Sequence, residues 1–321
     1  MIVGCGEALI DMVPRVISGK EGYLSCPGGS PYNTIIAVSR IGAEAAFLGR
    51  LSRDFFGDTL VQRLADHGVD CSLIRRSDER STLAFVKLEE GREPQYSFYI
   101  EGTADRSFAP EDLPRTAIPN LRCLVFGSIS MTMEPVASTV EAFLHREAQR
   151  ADPPVISLDP NIRPFMIANH GAYVQRFETW LPLSTIVKIS QADFDFIYPG
   201  LSLDAAMERV LDQGPSLVLS TQGANGALAL LRRPNGSKLR MTAPVIEVPV
   251  VDTIGAGDSF HGAFLAWLDL RGKLSRSALT ALTGQELYEA LCFANKAASL
   301  VCSRQGAEPP TLAELEELSR G

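Results

Sequence analysis

The segment Asp252-Thr253-Ile254-Gly255-Ala256-Gly257-Asp258-Ser259-Phe260-His261-Gly262-Ala263 places small residues where an apolar-faced helix begins, because Phe260, Phe264, Trp267 and Leu268 follow at helical spacing. A helix N-terminus offers unpaired N–H groups and the positive end of the helix dipole, and residues without bulky side chains let an anion approach them. The main-chain donors of Gly255, Ala256 and Gly257 could then hold a transferring anionic group, while Asp258 accepts a proton from an incoming hydroxyl. Taken alone, the commoner reading is plainer: Asp caps helices, and glycines make tight turns.

Outward from this turn, short β-branched apolar segments alternate with longer amphipathic ones, the pattern of a largely parallel sheet covered by helices. Strands are expected at 2–10, 45–49, 123–126, 155–158, 185–189 and 217–220, and helices at 32–41, 58–67, 136–149, 204–211, 258–270 and 286–302. Two stretches, 12–25 and 82–100, read instead as extended, the second as a hairpin turning at Glu90-Gly91-Arg92. With no repeat and no long linker, residues 1–321 are expected to form a single α/β domain carrying these strands as a small lid.

Composition bounds the partners. The chain is 45% hydrophobic and 21% charged, ordinary for a folded globule, and its net charge of −8 disfavours nucleic acid. Six scattered cysteines without a CxxC pair read as reduced thiols. No targeting segment opens the sequence, and no apolar run reaches the ~18 residues that span a bilayer, so the cytoplasm is the expected location, with no membrane partner. Gly4-Cys5-Gly6 starts like a dinucleotide fingerprint, but Leu9 stands where the third glycine belongs, and no GxxxxGK[ST] loop exists. The four histidines, His67, His145, His170 and His261, show no ligand spacing and read as surface or helix residues.

The Gly-Ala-Gly-Asp turn resembles the second signature of PfkB (ribokinase-like) carbohydrate kinases, in which it carries the anion hole and the catalytic base. Pro27-Gly28-Gly29-Ser30-Pro31-Tyr32-Asn33-Thr34, with Phe47-Leu48-Gly49-Arg50 and Asp54-Phe55-Phe56-Gly57-Asp58 after it, is similar to the first signature. The likeness runs from Gly6 to about Ala307. It implies a doubly wound α/β (ribokinase-like) fold with a small β-sheet lid. ATP with Mg²⁺ is the implied donor, with K⁺ as an assisting ion and a homodimer through the lid as a further expectation.

Residue by residue, the resemblance assigns Asp11, Gly28, Gly29 and Asn33 to the sugar, where a carboxylate can accept from a pair of hydroxyls and glycine permits close approach. Asp159-Pro160-Asn161-Ile162-Arg163 resembles an element of fructokinases and 2-keto-3-deoxygluconate kinases, with Arg163 as a fork for an oxygen pair. Phe98 belongs to a stretch, Phe98-Tyr99-Ile100-Glu101-Gly102-Thr103-Ala104-Asp105, that resembles the fructokinase lid. Lys188, Ser220, Gly223, Gly226 and Asn295 are assigned to the nucleotide. Asp252 is assigned to a monovalent cation. Asp193, in Ser190-Gln191-Ala192-Asp193, stands where many relatives carry a glutamate that organises water around Mg²⁺, and its shorter carboxylate is expected to act through a water.

Within the family, Gly28-Gly29-Ser30-Pro31-Tyr32-Asn33 and the lid stretch favour the bacterial fructokinases, so phosphorylation of fructose to fructose 6-phosphate is the expected activity. The alternatives are a 2-keto-3-deoxygluconate kinase or another sugar kinase of the family, and, in a different class, a sugar or nucleotide sensor without turnover. Retention of both Asp258 and the glycine turn argues against the sensor.

Overall fold

The computed structural model describes residues 1–17, 19–87 and 95–318. Its chain runs β1 (Ile2–Cys5), β2 (Leu9–Ile17), β3 (Lys20–Gly28), α1 (Ser30–Arg40), β4 (Ala45–Ser52), α2 (Phe55–Asp66), β5 (Ile74–Ser77), β6 (Leu83–Lys87) and β7 (Gln95–Tyr99). It continues through β8 (Cys123–Gly127), α3 (Val136–Ala148), β9 (Val155–Asp159), α4 (His170–Trp180), β10 (Ile186–Ser190), α5 (Gln191–Ile197), α6 (Leu203–Asp212), β11 (Leu217–Thr221), β12 (Ala227–Arg232) and β13 (Lys238–Ala243). Four helices complete it: α7 (Ala256–Leu270), α8 (Arg276–Thr280), α9 (Gly284–Cys302) and α10 (Leu312–Glu317).

A nine-stranded sheet has the order β13-β12-β11-β10-β9-β8-β1-β4-β5. From β11 to β5 every pairing is parallel, and only β12 is reversed, pairing antiparallel with both β11 and β13. Parallel strands covered on both faces read as unbroken apolar runs, and β1, β8 and β9 are buried at every residue. One face packs a core containing Phe47, Phe260, Phe264 and Trp267 under α1, α7 and α9. The other packs Phe126, Phe143, Phe177 and Trp180 under α3 and α4. Each such side chain contributes roughly 1.5–3 kcal/mol by leaving water. Strand order reverses between β1 and β8, and ligands of doubly wound sheets bind beyond the strand C-termini at that reversal.

The second sheet is small, with the order β3-β2-β6-β7. Residues 12–17, 20–25, 83–87 and 95–99 lie in it, whereas the expected turn at Glu90-Gly91-Arg92 falls outside the described residues. The single strand expected at 2–10 is two strands. β1 ends at Cys5, the buried connection Gly6-Glu7-Ala8 leaves the large sheet, and β2 pairs with β3 from Leu9 onward. Asp11 therefore sits inside β2 of the small sheet, not at the end of the first strand.

Candidate active site

Two helices from opposite ends of the sequence build the centre of the site. Gly255 caps α7 in the left-handed conformation, φ 75°, which favours glycine, and Asp258 follows in the first turn. Gly262, one turn on, lies against α1: a Cβ there would come within 2.5 Å of Thr34 O. Its missing side chain lets the helices approach, and α1 brings two donors onto Asp258. Ser30 Oγ donates to Oδ1 at 2.6 Å and Asn33 Nδ2 to Oδ2 at 2.9 Å. Burial pushes the Asp258 carboxyl above the ordinary carboxylate range, and these two hydrogen bonds oppose the shift.

A cavity of about 480 Å³ opens in front of Asp258, between the small sheet and the C-terminal ends of β1, β8 and β9. Asp11, Gly29, Asn33, Phe98, Arg163 and Lys188 line it, together with Asp252, Gly255 and Gly257. Burial pushes the Asp11 carboxyl up to about 6, against the pull of Arg163 and with a contribution from Asp258. Gly28 stands behind it, where a Cβ would meet Asp11 Oδ2 at 2.5 Å. Arg163 is fixed by its own loop, Nη1 donating to Asn161 Oδ1 and to the Asn161 and Ile162 carbonyls.

A second cavity, about 580 Å³, lies on the far side of the turn. Gly223, Gly226, Asn295 and Ala256 line it, and Asn295 Nδ2 donates to both Ala243 O and Pro244 O. The two cavities share Thr253 and Gly257, so the Gly-Ala-Gly turn is the wall between them.

Three sequence-predicted residues line neither cavity: Gly28, Ser220 and Asp193. Ser220 is buried in β11, its hydroxyl without a hydrogen bond among the described residues. Ser190 caps α5 and Asp193 completes the capping box, Oδ2 accepting from Ser190 N and Oγ, while Oδ1 accepts from Ile162 N at 2.9 Å. Burial, reinforced by Asp159, raises its pKa. Asp252 accepts from Ile254 N and Gly306 N and so ties the turn to the segment after α9.

Lys188 is buried in the first cavity, Nζ donating to Asp159 Oδ2 at 2.8 Å and standing 3.0 Å from where a Gly257 Cβ would be. Burial lowers its pKa, but Asp159, with Asp193 and Asp258, outweighs that effect and holds the ammonium charged. His261 is fully buried beneath this pair: its Nε2 meets Ser157 Oγ at 2.7 Å, and burial with Lys188 pushes it down to about 3, so it is neutral.

Sequence reasoning missed Glu7 and Arg15, which line the first cavity together with Tyr96 of the lid hairpin, and it missed Phe165, which stacks on Tyr96 and packs on Phe98 at 5.7 Å. Ser30 had a signal, since it sits in the motif already quoted.

The family model for pfkB family carbohydrate kinases matches residues 2–314. The chain belongs to this family. It is 39% identical over 288 residues to a fructokinase of Rhizobium leguminosarum bv. trifolii, covering 89% of this chain and 85% of the relative. Among solved structures, fructokinase with bound ATP from Xylella fastidiosa superposes with a TM-score of 0.89 at 29% identity, over 99% of this chain and 98% of that one. Fructokinase from Vibrio cholerae O395 in its fructose, ADP and calcium ion bound form gives 0.84 at 27%, over 98% and 97%.

Proposed function

We propose that the chain is an ATP-dependent fructokinase, moving the γ-phosphoryl group of ATP onto the primary hydroxyl of fructose to give fructose 6-phosphate. The observation that carries this is the pair of cavities meeting at Thr253 and Gly257, with Asp258 on the acceptor side. The named fructokinases, one with ATP and one with fructose and ADP, support the choice of donor and acceptor.

In this reading fructose lies between Asp11, Asn33 and the Gly28-Gly29 turn, with Phe98 and Arg163 at its sides. Asp258 takes the hydroxyl proton as the sugar oxygen bonds to the γ-phosphorus and the bond to the ADP oxygen breaks. The amides at Gly255, Ala256 and Gly257, with the Lys188 ammonium, hold the transferring group. Gly223, Gly226 and Asn295 face the nucleoside part, and Ser220 supports that loop from the strand beneath.

A divalent ion entering with ATP neutralises phosphate charge, and we take it to be Mg²⁺. The donor set fits an ion carried mainly by phosphates: among the described residues no group of three or more His, Cys, Asp or Glu could hold a metal. Asp193 would reach such an ion through a water, and Asp252 would serve a monovalent ion, K⁺.

The small sheet acts as the lid of one domain spanning 1–321. Contact of Phe165 with Tyr96 and Phe98 supports its closing over the sugar, which keeps water from the phosphoryl group. Val16, Tyr23, Leu24 and Tyr99 leave apolar surface exposed on it, which a second copy would cover. Six free thiols accord with the cytoplasm, and among the described residues no helix is long and apolar enough to cross a membrane.

A coupled assay of ADP release over a panel of sugars tests the proposal. Fructose-dependent ADP formation is expected. Thermal stabilisation by sugar without ADP would make the chain a sensor.

A further inference from the structure

Asp258 is held by Ser30, and Ser30 is held by a carboxylate that the phosphoryl-transfer reading does not use. α1 starts at Ser30 with Gly29 as its cap, a residue with no side chain to accept from the first-turn N–H groups. Glu7, in the connection between β1 and β2, supplies the acceptor, Oε1 receiving Ser30 N–H at 3.2 Å. Its other oxygen, Oε2, accepts from Ser130 N at 3.3 Å and from Ser130 Oγ, which itself accepts from Glu7 N at 2.7 Å.

Glu7 is 2% exposed and has no salt-bridge partner among the described residues, yet it borders the acceptor cavity. A buried carboxylate is costly unless its oxygens are bonded, and here the bonds join the segments after β1 and β8 to the first turn of α1. Burial pushes its carboxyl up to about 7, and either protonation state keeps an oxygen for Ser30 N–H. Ser30 Oγ carries this placement across 2.6 Å to Asp258.

We propose that Glu7 is a positioning residue for phosphoryl transfer: it fixes Ser30 and, through Ser30, the orientation of the Asp258 carboxylate. The inference rests on Asp258 being the base.

A double-mutant cycle with Glu7→Ala and Ser30→Ala tests it. Each single change is expected to lower kcat about tenfold, with the fructose KM within about threefold, and the double variant to lose about tenfold as well, short of the ~100-fold of independent effects. Glu7→Gln, which keeps an acceptor for Ser30 N–H, retains kcat within about threefold. If Glu7→Ala fails to fold, Ser130→Ala takes its place in the cycle, since it frees Glu7 Oε2, and the same non-additivity is required. Multiplying effects, a raised KM at unchanged kcat, or a Gln variant as impaired as Ala would each overturn the proposal. Asp258→Asn run in parallel separates the two claims: retained kcat there removes the base and Glu7's role with it, whereas lost kcat with a multiplicative cycle removes Glu7 alone.

Discussion

Asn33 on α1 donates to Asp258 on α7 through a 2.9 Å bond between residues 225 positions apart. The amide that the sequence assigned to the sugar is thus a donor to Asp258, and Ser30 Oγ donates to the second carboxylate oxygen. Each oxygen keeps a lone pair for a substrate proton. Asp258→Asn keeps the size and removes the basicity, so kcat is expected to fall ~10²–10⁴-fold with both KM values nearly unchanged. Because burial raises the wild-type pKa, turnover should be lost as pH falls through that raised value, and steady-state kinetics across pH checks both statements. Survival of kcat within a few-fold reduces Asp258 to a helix cap.

Gly262→Ala tests the helix contact that creates this pair. The added methyl would meet the Thr34 backbone oxygen at 2.5 Å, so α1 must move away from α7. A cost of about 1–3 kcal/mol in denaturant unfolding is expected, the usual range for overpacking. Turnover should fall by more than the unfolded fraction explains, because Ser30 and Asn33 move with α1. Unchanged kcat would mean that α1 carries no alignment.

Asp11, a partly buried carboxylate lining the first cavity, costs the fold stability above its own pKa. Its pKa of about 6 lies above the ordinary aspartate value, so the folded state binds the proton more tightly than the unfolded chain. Stability tied to this group is therefore full below the unfolded value and declines as pH rises through the folded one, by about 2–3 kcal/mol. Asp11→Asn should raise Tm at pH 8 more than at pH 4.5. Asp11→Ala should raise the fructose KM at least about tenfold and leave the ATP KM unchanged, the loss of a charge-assisted hydrogen bond. A weakened ATP KM with an intact fructose KM would take Asp11 out of the sugar site.

Much of this was legible in the sequence for physical reasons. The apolar runs of β8 and β9 and the small-residue turn at 255–257 depend on local pattern, and they appear where expected. β5 was not legible, because Ile74-Arg75-Arg76-Ser77 is a polar edge strand that pairs, among the described residues, with β4 alone. β12 and β13 carry a local hairpin signal, Asn235-Gly236 between an apolar run and an alternating one. Arg15 and Glu7 enter the cavity only because β2 leaves the large sheet after a three-residue connection, which no local pattern announces.

The Lys188–Asp159 pair gives a stability prediction. Both side chains are buried, so Lys188→Met leaves the Asp159 charge without its ion partner, at a cost of about 3–5 kcal/mol. Adding Asp159→Asn should restore part of that loss. Denaturant melts of the three variants check it, and additive losses would show that the pair is not coupled.

The acceptor sugar follows from the charges around the cavity. Glu101, within the lid stretch read from the sequence, pairs with Arg106 and is 85% exposed, so it adds no charge inside the cavity. Four carboxylates line the cavity instead, Glu7, Asp11, Asp252 and Asp258, against three cations, Arg15, Arg163 and Lys188. Lys188 is already paired with Asp159, and Arg163 spends Nη1 on its own loop. The carboxylate of 2-keto-3-deoxygluconate would need a cation of its own once the lid removes water, and it would sit among resident carboxylates. Neutral fructose has no such requirement and can donate hydroxyls to Asp11. kcat/KM for fructose is therefore expected to exceed that for 2-keto-3-deoxygluconate at least ~10-fold, about 1.4 kcal/mol of transition-state discrimination. Both are measured at saturating MgATP. A reversed ratio would mean that Arg15 and Arg163 together read a substrate carboxylate, and Arg15→Met should then abolish the preference for the acid.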